Sequence, residues 1–110
     1  MTKTNIKTNH IRIENLYKSF FAEIKNTSIE LRDDFVEIKH LDIDNQDPAN
    51  IEISQTKTGF TVTYWDGYSL SEIEELKELS AALKIFKKYA KKMARNLKRF
   101  SSHLLIFLII

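Results

Sequence analysis

Apolar positions along this chain change their period, and each change marks an element. Ile13, Leu16, Tyr17, Phe20, Phe21 and Ile24 share one helical stripe, which predicts a helix of about three turns. Asn26-Thr27-Ser28 ends it, and residues before Ile11 read as a loose arm. From Ile29 the period drops to two, as in a half-buried strand. Strands are expected at 29–32, 35–43, 50–56 and 60–65. Asp33-Asp34 is the first turn, Asn45–Asn50 with Pro48 is a loop, and Lys57-Thr58-Gly59 is a hairpin loop with Gly59 in the left-handed position. Within 35–43 the phase slips, because Val36 and Ile38 share one face while Leu41 and Ile43 share the other. A bulge near Lys39-His40 would reconcile them. The links are short, so the four-stranded sheet is expected to be antiparallel.

The last third returns to a helical period. Leu76, Leu79, Leu83, Phe86, Ala90, Met93, Leu97 and Phe100 recur at intervals of three and four. Ser69 with Glu72 spells a capping box, and Tyr68 with Ile73 a hydrophobic staple. No Gly or Pro interrupts residues 69–100. One helix over that span would be roughly 48 Å long. That exceeds the width of a small sheet, so the helix is expected either to overhang and find a partner or to break. Its first half is expected to pack on the sheet. Its second half, through Leu83, Phe86, Ala90, Met93, Leu97 and Phe100, is expected to self-associate. The run Leu-Leu-Ile-Phe-Leu-Ile-Ile at 104–110 is apolar throughout. It is far too short to span a bilayer, and completing the protein's own core is its expected fate, with insertion into a partner subunit or contact with a membrane surface as rivals.

Composition adds limits. A chain of 110 residues with 43% hydrophobic residues reads as one α+β domain spanning 1–110. There is no Cys, which removes disulfides, thiolate nucleophiles and Cys-ligated zinc. The polar N-terminus does not look like a signal peptide, and a cytoplasmic location is expected. The net charge of +2 hides a division. Residues 1–68 hold eight Lys/Arg against eleven Asp/Glu, while residues 69–110 hold nine Lys/Arg against four Glu.

Chemistry is sparse. His10, His40 and His103 are scattered, and no metalloprotease, nucleophile-elbow or P-loop motif is present. Asp42, Asp44, Asn45 and Asp47 suggest a cation loop, but an EF-hand counted from Asp42 would need Gly and Glu where Asp47 and Ile53 stand. No catalytic residue, metal or cofactor is therefore expected. The strongest hint is a basic face made of Lys84, Lys87, Lys88, Lys91, Lys92, Arg95, Lys98 and Arg99, with no acid among residues 84–99. Tyr64, Trp65 and Tyr68 cluster between the last expected strand and the long helix, as an aromatic anchor or as core. These features lead to an expected function as a small non-enzymatic interaction protein that binds an acidic macromolecule and forms a homo-oligomer. A sequence-blind nucleic-acid binder using the same basic face is the alternative.

Overall fold

Alternating apolar and polar residues from Thr27 onward fold into an antiparallel meander, capped on one side by two helices. The computed structural model describes the backbone of residues 5–42 and 44–109, and side chains through Arg99. A short 3-10 turn, Lys7–Asn9, leads into helix α1, His10–Phe21. Five strands follow: β1 Thr27–Leu31, β2 Phe35–His40, β3 Asn50–Gln55, β4 Phe60–Trp65 and β5 Ser71–Leu76. Helix α2, Leu79–Ile109, is the last element. The strands lie in the sheet in chain order, each antiparallel to the next.

One sheet face is apolar and covered. Val36, Ile38, Ile51, Ile53, Phe60, Val62 and Tyr64 are buried there. α2 crosses β3, β4 and β5 with Leu79, Ala82, Phe86, Tyr89, Ala90 and Met93 buried against them. The alanines keep the helix axis close to the sheet, and Phe86 fills the space between. α1 packs beside α2 and against β1, contributing Ile13 and Phe21. The opposite sheet face has no helix over it among the described residues.

Several expectations need correction. The sheet has five strands rather than four, because residues 71–76 are extended rather than helical. The Asp66 carboxylate accepts the backbone N–H groups of Tyr68, Ser69 and Leu70 at 2.8, 2.9 and 3.1 Å. Gly67 takes a positive φ of 91°, a region open to a residue without Cβ. Together they turn the chain back along β4, where pairing satisfies the backbone of a sequence whose Glu and Leu residues favour helix in isolation. Ser69 is therefore a turn residue and not a helix cap. α2 begins after Glu78, whose carbonyl accepts the Ala82 N–H at 3.1 Å.

The N-terminal segment is also less loose than expected. Ile6 is 0% exposed, and Asn5 Oδ1 accepts the Thr8 N–H at 2.9 Å. One isolated apolar residue ahead of the helix has no period to reveal it. β2 ends at His40 without the expected bulge. Leu41 is 51% exposed, and its N–H donates to the Asn26 carbonyl at 2.6 Å. Ile43 lies outside the described residues. Gly59 does not adopt a positive φ. Its hydrogen side chain is required for another reason: a Cβ there would collide with the Leu76 carbonyl oxygen.

Candidate functional site

The two faces of α2 follow from where its charges fall. Its 31 residues contain no Asp or Glu. With the Phe86 side facing the sheet, the eight basic residues from Lys84 to Arg99 occupy an arc of roughly 140° at 100° per residue, centred away from the core. Every one of them except Lys92 is exposed. Lys84, Lys87, Lys88, Lys91, Lys92 and Arg95 line an open depression of about 530 Å³.

Acids elsewhere in the fold neutralise only the margins of this arc. Lys92 Nζ donates to Glu72 Oε2 on β5 at 3.0 Å and also lies 5.9 Å from the centre of the Tyr64 ring. Lys98 Nζ is 3.6 Å from Glu23, beyond the end of α1. Lys91 sits 5.8 Å from the centre of the Phe20 ring. Among the described residues, Lys84, Lys87, Lys88, Lys91, Arg95 and Arg99 have no carboxylate within ion-pair distance. The acidic stretch from Asp33 to Glu52 does not cover them. Glu37 and Glu52 alternate with the buried residues of β2 and β3, which puts them on the far side of the sheet.

The residues expected to form a self-association seam lie elsewhere than proposed. Leu83, Phe86, Ala90 and Met93 are buried in the protein's own core, and Leu97 packs against it. That part of the stripe is covered by the sheet and is not offered to a second copy. The Phe100 side chain lies outside the described residues.

The aromatic group is likewise divided. Tyr64 is 1% exposed, stacks on Tyr89 with ring centres 5.8 Å apart, and accepts a hydrogen bond from Asn96 Nδ2 at 3.0 Å. Burial pushes its phenol above the usual tyrosine range, with the Asn96 hydrogen bond acting in the opposite direction. Trp65 points to the other sheet face, where its indole N–H donates to the Asp47 carbonyl at 2.9 Å. Tyr68 is 69% exposed at the β4–β5 turn. Tyr64 is thus a core residue, and the three do not form one anchor. His10 Nε2 lies 2.7 Å from the Arg32 carbonyl. The acidic loop uses its side chains on itself, since Asp42 Oδ1 accepts the Asp44 N–H and Asn45 Oδ1 accepts the Asp47 N–H.

Strand pairing creates one feature that sequence reading missed. Glu30, Glu37 and Glu52 stand directly opposite one another on β1, β2 and β3, on the uncovered sheet face. The same row continues through Thr63 to Ile73 at the sheet edge. Glu30 is paired with Arg32 at 2.8 Å and Glu37 with Lys39 at 3.9 Å, whereas Glu52 has no ion pair among the described residues. Burial between its strand neighbours, then the Glu37 charge, push the Glu52 carboxyl above the usual range. Alternation at each strand placed these glutamates on one face, but only the register aligns them.

No protein-family model matches the chain, and no similarity was found to a curated protein or a solved structure.

Proposed function

We propose that this chain is a non-enzymatic interaction protein, a regulator, inhibitor or assembly factor, that holds an acidic macromolecular partner on the outer face of α2. One observation carries the reading: a helix without a single acid presents Lys84, Lys87, Lys88, Lys91, Arg95 and Arg99 with no carboxylate partner among the described residues. Retaining that many like charges on a single face costs stability through mutual repulsion, and an acidic partner removes the cost. Lysine predominates over arginine, which suits point-charge contact with carboxylates rather than planar bidentate recognition. The test is capture on immobilised poly-L-glutamate. Reversing Lys88, Lys91 and Arg95 together, which leaves the Lys92–Glu72 pair intact, should weaken capture at least about tenfold. Unchanged capture would remove the reading.

The breadth of the arc supports a second reading, sequence-blind nucleic-acid binding, because cations on both flanks of the helix reach phosphates on both walls of a groove. With six cations engaged, duplex affinity should fall with a log–log salt slope of about −5. A slope near zero, or a strong preference for one sequence, would count against it.

A further inference from the structure

We infer that the uncovered sheet face is the docking surface for the basic face of α2 from a second copy of this chain, so that copies associate head to tail. The inference rests on the basic-face reading above and names a partner for it.

The uncovered face is unusual for a surface with nothing to meet. Glu30, Glu37 and Glu52 form a row of like charges in register across three strands, an arrangement that is destabilising by itself; Arg32 and Lys39 compensate Glu30 and Glu37 in part, and Glu52 has no ion pair among the described residues. At the end of the same row, Ile73 on edge strand β5 is 64% exposed. A cationic, partly apolar visitor would relieve both. The chain itself carries one. Lys84, Lys88, Lys91 and Arg95 recur every three or four residues, about 5.5 Å apart along a helix axis. Neighbouring strands are about 4.8 Å apart. A helix laid across the strands therefore brings successive cations over Glu30, Glu37 and Glu52 with a cumulative mismatch of about 1.4 Å, well within the reach of a lysine side chain. The donor and acceptor surfaces lie on opposite sides of the protein, with the core between them. One copy cannot satisfy itself, and the contact is heterologous, which extends into open chains unless the rotation closes a ring. A nucleic acid would be repelled by this face, so the acid row favours a protein helix as its occupant.

The experiment is sedimentation velocity on the full chain across a concentration series, at about 0.1 M and about 1 M salt, where the Debye length falls from about 10 to about 3 Å. Two variants divide the contact: Glu37→Gln/Glu52→Gln disables the sheet face, and Lys88→Glu/Lys91→Glu disables the helix face. The unmodified chain should form species larger than a dimer that grow with concentration and shrink at high salt. Each variant alone should be monomeric. Mixed, they should give a capped one-to-one dimer, because one keeps a working helix and the other a working sheet. Circular dichroism confirms that each is folded, and Lys88→Gln/Lys91→Gln replaces the reversal if it is not. A monomeric wild-type chain, or association that survives Glu37→Gln/Glu52→Gln, overturns the inference. Poly-L-glutamate capture separates the two levels. Capture retained by a chain that does not self-associate leaves the basic-face reading standing and sinks only the sheet assignment, whereas loss of both sinks the two together.

Discussion

Lys92 and Glu72, twenty residues apart, meet at 3.0 Å and join the middle of α2 to edge strand β5. Glu72 is one of four glutamates that precede the basic run in sequence. It faces the helix because β5 pairs Glu72 with Tyr64, whose side chain is on the covered side. An inward-facing charge on an edge strand also discourages pairing with another sheet edge. Both side chains are about a third exposed, so the pair is worth about 0.5–1 kcal/mol. A double-mutant cycle with Lys92→Met and Glu72→Gln, read by urea unfolding, should return a coupling in that range. The β5 amides should exchange faster in either single variant.

Two substitutions, at Ser69 and Gly59, distinguish a strand from a helix over residues 71–76. A capping serine replaced by alanine costs a helix about 1 kcal/mol, but Ser69 caps nothing here. Ser69→Ala should change the unfolding free energy by less than about 0.5 kcal/mol. Gly59→Ala puts a methyl group into the Leu76 carbonyl at the end of β5. Backbone cannot yield as a side-chain tip can, and a loss of about 1–3 kcal/mol is expected. The opposite order of effects would mean that residues 69–76 are helical.

The strands between Ile29 and Trp65 were legible because alternation and burial agree there. Val36, Ile38, Ile51, Ile53, Val62 and Tyr64 each sit on the face that their period assigns. The basic arc was legible for the same reason, since one helical period sorts Phe86 and Met93 inward and Lys88 and Arg95 outward. Residues 71–76 were not, because Ser-Glu-Ile-Glu-Glu-Leu fits both periods and its propensity favours the wrong one. Two things decide it: the local Asp66-Gly67 turn, which the capping-box reading of Ser69 overrode, and the free edge of β4, which only the tertiary fold supplies. The glutamate row was hidden for a related reason. Glu30, Glu37 and Glu52 lie in three separate segments, and only pairing register brings them together.

The Tyr64 hydroxyl, inside the protein beneath α2, gives the fold an alkaline limit. Its folded pKa is raised, first by burial, so the fold favours the neutral phenol. The resulting stability is fully present below the unfolded value near 10 and is lost as pH rises through the higher folded value. Tyr64→Phe should flatten the decline in stability above that point. At neutral pH it should cost about 1 kcal/mol through loss of the Asn96 hydrogen bond. Thermal unfolding across an alkaline pH series measures both, and an unchanged alkaline decline would place the phenol outside the core.

Glu52 should produce a pH dependence of its own at the acidic end. Its carboxyl is raised by burial and by Glu37, so the folded chain holds this proton more tightly than the unfolded chain does. The group's contribution is fully present below the ordinary glutamate pKa and is lost as pH rises through the raised folded value. Between those two values the slope of stability against pH from this residue is negative, opposite to that of a salt-bridged carboxylate. In the monomer, at high dilution, Glu52→Gln keeps the shape, removes the charge facing Glu37 and should raise neutral-pH stability by about 0.5 kcal/mol, or about 2–4 °C in Tm. It should also erase the negative slope. Calorimetry from pH 4 to 7 on both proteins tests this. A variant less stable than wild type at that dilution would mean that the ionised carboxylate has a cationic partner within its own chain.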